Sequence, residues 1–228
     1  MIRILSYLIF FTLGMLLFRP ILLEAVENIQ LPEDLKARAF VIKSEKDGLW
    51  EKSLIIQFSE RRRVLSTNDG FLDALAVVNH SAHPLLWERV CKKGKTKEVM
   101  KDIKKRIAKT IGVRSEEIAL MATAVDMDNL AVKTKKFKPF VVSVLATAGA
   151  KTNALRTGVD EGTYIEGEEP KGTVNILILT NVRLTDGAMA RAIITATEAK
   201  TAAFQDLKVP SSYTKDVLAT GTGTDSVI

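Results

Sequence analysis

Threonine and asparagine residues stand where several apolar segments of the chain end. Thr123 and Asn129 form the pattern T-A-x4-N after one such segment, and Thr147 and Asn153 repeat it after the next. A third segment ends at Thr180-Asn181. Hydroxyl and carboxamide groups donate and accept hydrogen bonds without carrying charge. These residues therefore predict a site for a neutral ligand that is rich in amide groups.

Threonine, glycine and aspartate also dominate the segment 219–225, which contains Thr222 and ends at Asp225. Ligands of open α/β sheets bind at the carboxyl ends of the strands. We therefore expect the strands that end near residues 125, 148 and 180 to lie side by side and to form one rim. The alternative is that threonine is simply common in strands and asparagine in turns.

Short apolar segments and amphipathic segments alternate along the chain, which indicates an α/β fold. Short apolar segments suit strands buried on both faces of a sheet, whereas an apolar residue at every fourth position marks a surface helix. The predicted strands are 53–58, 74–79, 118–125, 140–148 and 174–180. The first of them should end at a charged turn at 60–63. The predicted helices are 95–110 and 187–207. Thr185 or Asp186 should cap the second helix. The acidic, glycine-rich segment 158–172 predicts an exposed loop. We expect a single domain with a central sheet covered by helices.

The composition excludes several classes of protein and of site. With 46% hydrophobic residues, the 228-residue chain can bury the core of an ordinary globular protein. Basic residues cluster at 92–106 without interleaved aromatic residues, which is typical of a solvated helix face and predicts no binding of nucleic acid. Cys91 is the single cysteine, and the His80-x-x-His83 pair has no companion ligand, so no metal site is predicted.

Residues 4–18 form an uncharged apolar segment between Arg3 and Arg19. A helix that is apolar on every side must lie in lipid or be wholly buried. The segment therefore predicts an N-terminal apolar helix for export or membrane anchoring, in a region 1–25 that precedes a domain 26–228. Ala25 suits a cleavage site, and an uncleaved anchor is the alternative. We expect an exported or membrane-anchored protein, with a core helix and a cytoplasmic location as the alternative.

Five blocks of sequence, in order, resemble one known family. They read A-V-V-N-H (76–80), L-M-A-T-A-V-D-M (120–127), T-A-G (147–149) with N-A-L-R-T-G (153–158), N-I-L-I-L-T-N (175–181), and T-A-T-E-A-K-T (195–201) with A-T-G-T-G-T-D (219–225). Through them, residues 54–226 resemble the adenosylcobinamide amidohydrolases. The resemblance implies a corrinoid partner and hydrolysis of the amide bond that links aminopropanol to the corrin ring of adenosylcobinamide, giving adenosylcobyric acid in vitamin B12 salvage. The corrinoid is the substrate, and no cofactor is implied.

The resemblance also marks one difference. Chains of the family continue past the block at 219–225 through another strand and a segment with glycine and histidine, whereas this sequence stops at Ile228. We expect either a truncated sequence or an incomplete site. The alternative function is therefore a non-catalytic corrinoid-binding or handover protein at the membrane, and a third is an α/β domain with unrelated small-molecule chemistry. No oligomeric state is predicted.

Amide hydrolysis requires an activated water, a group that stabilises the oxyanion and an acid that protonates the departing amine. We expect Glu198 or Asp126 to be the base. Glu198 lies in an alanine- and threonine-rich helix. Asp126 and Asp225 lie in loops at strand ends, where a buried neighbour can raise the pKa of a carboxyl group, and the alternative is that these loop aspartates cap helices. His80 is expected as a base or ligand contact, with packing as the alternative, and Lys200 as a solvated lysine or an oxyanion donor. The predicted substrate-binding residues are Asn79, Thr123, Asn129, Thr147, Asn153, Thr180, Asn181, Thr195, Thr222 and Asp225. The sequence contains no G-x-S-x-G motif, so Ser-His-Asp catalysis is not predicted.

Overall fold

Two β-sheets packed face to face form the centre of the protein in the computed structural model, which describes residues 23–92, 94–161 and 172–228. Leu54 and Ile56 from the larger sheet pack together with Leu145 and Leu177 from the smaller one. Ile55 points the opposite way, because successive side chains of a strand alternate between its two faces. The two sheets therefore share one hydrophobic core, and the larger sheet presents a second apolar face on its other side.

The larger sheet has five strands: β1 (Leu23–Ile29), β2 (Ala37–Lys46), β3 (Leu49–Ser66), β4 (Gly70–Ala82) and β5 (Ile118–Thr123). They lie in the order β1-β2-β3-β4-β5. Neighbours are antiparallel except β4 and β5, which are parallel and place Ser81 beside Thr123. The carboxyl ends of β4 and β5 therefore meet at the same edge of the sheet.

The smaller sheet contains β6 (Ala131–Phe137), β7 (Phe140–Ala148), β9 (Val174–Thr180) and β11 (Ser226–Val227), while β8 (Ala154–Leu155) and β10 (Gly221–Thr222) form a separate pair. Its order is β11-β9-β7-β6. β7 is antiparallel to both β6 and β9, whereas β11 is parallel to β9. Ala148 consequently lies beside Val174, at the start of β9, and Val142 lies beside Thr180.

Three α-helices belong to the described part of the chain: α1 (Pro84–Cys91), α2 (Thr96–Ile111) and α3 (Asp186–Asp206). The first two cover the outer face of the larger sheet, where Ile103 and Ile107 of α2 pack against Ile55 and Val78. α2 ends at Gly112, whose φ of 70° is the left-handed conformation that favours glycine after a helix.

α3 lies at the surface beside the smaller sheet. It begins at its predicted cap, since the Thr185 hydroxyl accepts a hydrogen bond of 3.2 Å from the Ala188 amide. Phe204 is its buried residue, and it packs against Val174 and Ala219. The carboxyl half of the helix is therefore attached to the region where β9 begins.

The sequence predicts several of these elements closely. The segments 140–148 and 174–180 coincide with β7 and β9, and the two predicted helices coincide with α2 and α3 to within one residue. The turn predicted at 60–63 is wrong, because β3 continues through it with an irregularity in its pairing to β4 between Gln57 and Arg62.

The expectation of one mixed α/β domain is confirmed, but that of a central sheet covered by helices holds for only one face of the larger sheet. A second sheet covers one face of the larger sheet, and helices cover the other. The predicted N-terminal helix at 4–18 lies outside the described residues, and β1 begins at Leu23, within the region 1–25. Within the described ranges, no helix is both long enough and apolar enough to cross a membrane.

Glu117 is a buried carboxylate held by two arginines. It accepts hydrogen bonds from the guanidinium and the backbone amide of Arg114, at 3.2 and 3.0 Å, and from Arg61 Nε at 2.7 Å. These bonds, those of Arg114 above all, lower the pKa of Glu117 from 4.5 to about 2. Because the pKa in the folded state lies below the unfolded value, the stabilisation is present above pH 4.5 and is lost as the pH falls through about 2.

We expect the urea midpoint of unfolding to fall less steeply between about pH 5 and about pH 2 in Glu117→Gln than in the wild type. The substituted side chain no longer titrates, so the difference in slope reports this group. Glu116→Gln, a change at the exposed neighbour, should keep the wild-type slope. Equal slopes in all three proteins would contradict the assignment.

Candidate active site

Asn79, Thr147 and Asn175 form a hydrogen-bonded cluster between the two sheets. The Asn79 amide donates to the Thr147 hydroxyl at 3.0 Å, and the Asn175 amide donates to Asn79 Oδ1 at 2.8 Å and to the Ala122 carbonyl at 3.1 Å. Each of the three side chains is 1% exposed. Because an unpaired polar group in such a core is costly, the cluster fixes the register of β4, β7 and β9 against one another.

Asp225 and Lys200 form an ion pair next to this cluster. The Asp225 carboxylate accepts hydrogen bonds from Lys200 Nζ, from the Thr222 hydroxyl, and from the amides of Thr222 at 3.0 Å and Val174 at 2.9 Å. The Asp225 and Lys200 side chains are each 14% exposed. Asp225 thus joins α3, β9 and β10, and its acceptor positions are occupied. Lys200 is engaged too, which argues against its expected roles as a solvated lysine or an oxyanion donor.

Gly221 is required by the close approach of that ion pair. A Cβ atom at this position would lie 2.4 Å from Lys200 Nζ and 2.5 Å from Asp225 Oδ2. Both distances are shorter than any normal contact of a Cβ atom, so a side chain here would displace the pair. Gly221 of the T-G-T-G-T segment therefore leaves room for the ion pair, because it has no side chain.

Asn153 is buried and connects two loops by hydrogen bonds. Its amide donates to the Gly172 carbonyl at 3.1 Å, and its Oδ1 accepts from the Tyr213 hydroxyl at 2.8 Å. The Thr224 hydroxyl donates to the same Gly172 carbonyl at 2.8 Å. The loops after β7, before β9 and after β10 are therefore tied together beside the Asp225–Lys200 pair.

Asp126 is paired with Lys52. Lys52 Nζ lies 2.7 Å from Asp126 Oδ1 and 2.6 Å from Asp128 Oδ2, and the Asp128 amide donates to Asp126 at 3.0 Å. Burial by itself would raise the pKa of Asp126, but the Asp128 amide and the Lys52 ammonium outweigh it and lower that pKa. The expected rise in pKa is therefore wrong for Asp126, which makes its carboxylate a weaker base.

The loops after β5 and β7 meet, as the two T-A-x4-N patterns predict. A Cβ atom at Gly149 would lie 2.4 Å from the Val125 side chain, so the two loops are in close contact. Thr123 is buried, and its carbonyl accepts from Trp87 Nε1 at 2.8 Å. Asn129, unlike its counterpart Asn153, is exposed. The repeated pattern thus has different roles in its two copies.

Thr180 and Asn181 do not join this group, because β9 runs antiparallel to β7 and ends at the opposite edge. The expectation that all three strand ends form one rim is therefore wrong for the third strand. Asn181 accepts from the Val141 amide at 2.9 Å and donates to the Pro139 carbonyl at 3.0 Å. Both residues line an open cavity of about 590 Å³ beside β3 and the first half of α3.

His80 faces α1 instead of the cluster, because it follows Asn79 directly in β4 and side chains alternate. Its Nδ1 atom lies 2.8 Å from Ser53 Oγ, its ring contacts the edge of Trp87, and it is 2% exposed. This buried position between Ser53 and Trp87 suits the packing alternative.

Glu198 and Thr195 are exposed on α3. Helical spacing places Glu198 on the same side as Thr201 and Gln205, which donate to the carbonyls of Thr220 and Ala219 at 3.2 and 2.8 Å. Glu198 therefore borders the segment that leads into the Asp225–Lys200 pair, with its carboxylate in solvent.

Some residues of this region were not singled out from sequence. Asn175 interrupts an otherwise apolar strand, and a polar residue in a buried strand is itself a signal of a hydrogen-bonded partner. Lys52 lies in a strand of mixed character, and its sequence neighbours give no sign of its two aspartate partners 74 and 76 residues away.

Comparison with known proteins places this chain in a family. The model of the adenosylcobinamide amidohydrolase family (CbiZ) matches residues 38–228. The chain belongs to the adenosylcobinamide amidohydrolase family. A curated relative is the "Uncharacterized protein MJ1613" of Methanocaldococcus jannaschii, which is 43% identical over 219 residues, covering 89% of this chain and 83% of the relative. No solved structure matches the chain.

In this member of the adenosylcobinamide amidohydrolase family, the matched range contains the whole strand-end region. It includes the Asn79 cluster, the Asp225–Lys200 pair, the Asp126–Lys52 pair and Glu198. Substrate-binding and catalytic roles for these residues remain predictions, and the arrangement limits which of them can act on a bound ligand.

Proposed function

We propose that the protein hydrolyses the amide bond that joins aminopropanol to the corrin ring of adenosylcobinamide. The observation that carries the proposal is the family match over residues 38–228. Water adds to the amide carbon, the C–N bond breaks, and a proton passes to the departing nitrogen. The products are aminopropanol and adenosylcobyric acid, so one water is consumed for each bond cut.

The strand-end region supports this assignment through its chemistry. Polar residues predicted to bind the substrate converge there from several separate elements of the fold. Most of these side chains make hydrogen bonds within the protein and do not face solvent. The ligand would therefore contact the loops that these side chains hold in place. Asn129 and Thr224 are exposed in two of these loops and carry uncharged hydrogen-bonding groups, which suits the amides around a corrin ring.

Glu198 is the best candidate for the base that activates water. It combines an exposed carboxylate with a position beside the segment that enters β10. Asp126 has a lowered pKa because the Asp128 amide and Lys52 outweigh the effect of burial, Asp225 has its acceptor positions filled, and His80 lies on the other face of the sheet. A base must reach the attacking water, and exposure beside the loops permits that.

The test is a turnover assay with the purified full chain and adenosylcobinamide. Mass spectrometry would quantify aminopropanol and adenosylcobyric acid, and a parallel titration would measure corrinoid binding. Stoichiometric binding together with time-dependent formation of both products is the expected result. Saturated binding without release of aminopropanol would instead establish the alternative, a corrinoid-binding or handover protein.

A further inference from the structure

The hairpin formed by β6 and β7 exposes two phenylalanines at its tip. Phe137 and Phe140 lie directly opposite each other in the strand pair and are 61% and 48% exposed. Val142 follows on the same face of β7, because side chains two residues apart point the same way. The tip therefore presents an apolar stripe that the rest of the described chain leaves open to solvent.

Lysines lie beside this stripe: Lys133 and Lys135 share its face of β6, whereas Lys136 lies opposite buried Val141 on the other face. Residues 131–142 contain four lysines and no acidic residue, and the lysines are exposed at positions 133, 135, 136 and 138. Lysines on an edge strand can serve merely to prevent pairing with another strand. That role does not explain the exposed aromatic side chains, which raise the tendency of an edge to associate.

Hydrogen bonds to the neighbouring strand also hold the tip. Asn181, beyond the end of β9, accepts a hydrogen bond from the Val141 amide at 2.9 Å and donates one to the Pro139 carbonyl at 3.0 Å. These bonds tie the turn at 138–139 to the neighbouring strand. A surface whose conformation is fixed by such bonds loses less conformational entropy when it docks.

We propose that this hairpin docks on the surface of an anionic lipid bilayer, with Phe137 and Phe140 at the level of the headgroups. Aromatic side chains favour the membrane interface, and lysines near an anionic leaflet are attracted to its surface potential. The four lysines provide the complementary charge. A second copy of the chain fits this edge poorly, because it would bring the same lysines against each other. The inference is independent of the proposed hydrolysis.

The experiment is sedimentation of the full chain with vesicles of phosphatidylcholine alone or with phosphatidylglycerol added. Binding is expected to require phosphatidylglycerol and to weaken with added salt. The Phe137→Ser/Phe140→Ser protein and the Lys133→Gln/Lys135→Gln/Lys136→Gln protein should each lower the partition coefficient at least about ten-fold. These positions are exposed, and circular dichroism would verify the fold of each variant.

The matched control changes the same number of charges elsewhere. Lys97→Gln/Lys101→Gln/Lys105→Gln removes three exposed lysines from α2 and should retain wild-type partitioning. Equal loss in both lysine variants would overturn the proposal, since general charge would then suffice. Unchanged partitioning of the hairpin variants would overturn it as well. Concentration-dependent dimers without vesicles, abolished by the phenylalanine changes, would assign the surface to a second copy instead.

Discussion

Replacing Asp225 with asparagine should lower the free energy of unfolding by about 2–4 kcal/mol, because it leaves Lys200 largely buried without an anion. The carboxylate also organises Thr222 and the start of β9, so corrinoid turnover should fall together with stability. Chemical denaturation of the wild type and of Asp225→Asn measures the first effect, and release of aminopropanol measures the second.

Two further variants separate the ion pair from its surroundings. In the double variant Lys200→Met/Asp225→Asn, the loss of stability should be smaller than the sum of the two single losses, because the unpaired charge is gone. Asp216→Asn makes the same chemical change at an exposed position of the segment before β10 and should leave stability within about 0.5 kcal/mol of the wild type. Additive single losses would contradict a direct interaction between Lys200 and Asp225.

Glu198→Gln should reduce the rate of aminopropanol release by about 10²-fold to 10⁴-fold, the usual loss when a general base is removed. The substituted side chain keeps its shape but can no longer accept the proton of the attacking water. Corrinoid binding should be retained, because the exposed Glu198 carboxylate makes none of the hydrogen bonds described above that hold the strand-end loops together. Asp206→Asn, at an exposed carboxylate on the same helix, is the control and should retain wild-type turnover.

The other outcomes for Glu198→Gln are equally informative. Near-normal turnover would remove Glu198 from the mechanism and leave Asp126 as the next carboxylate to test. Loss of both turnover and binding would show that Glu198 positions the helix instead of acting on water.

Local signals in the sequence were sufficient for the helices α2 and α3 and for the strands β7 and β9, whereas α1 was not predicted. α3 has a threonine cap and a proline shortly after its end, and α2 has an apolar residue every fourth position and a glycine stop. β7 and β9 are short apolar segments with clear limits. Each of these features depends on neighbours in the chain, which is why sequence alone could locate it.

β6 and β2 are two strands that the sequence did not predict. β6 is an edge strand in which lysine alternates with other exposed residues, so its pattern resembles a loop. β2 carries charges near both ends. Pairing with a neighbouring strand, which the sequence does not show, stabilises these segments as strands.

The direction of β9 caused the largest difference between the predicted site and the observed one. Sequence places Thr180 at the end of an apolar strand, as it does Thr147, but it does not show that the two strands are antiparallel. The same limit applies to the two T-A-x4-N loops. The burial of Asn153 depends on Gly172 and Tyr213, which are both distant in the chain. Residue types predicted the chemistry of the region, whereas the path of the chain decides which of those residues a ligand can reach.

The most direct test of the central claim is hydrolysis of adenosylcobinamide in water enriched in ¹⁸O. Attack of water on the amide carbon predicts that the new carboxyl group of adenosylcobyric acid carries ¹⁸O and that the released aminopropanol does not. Glu198→Gln should give the same labelled product at a much lower rate. Recovery of bound, intact and unlabelled adenosylcobinamide after prolonged incubation would contradict the account and establish a protein that binds the corrinoid without cutting it.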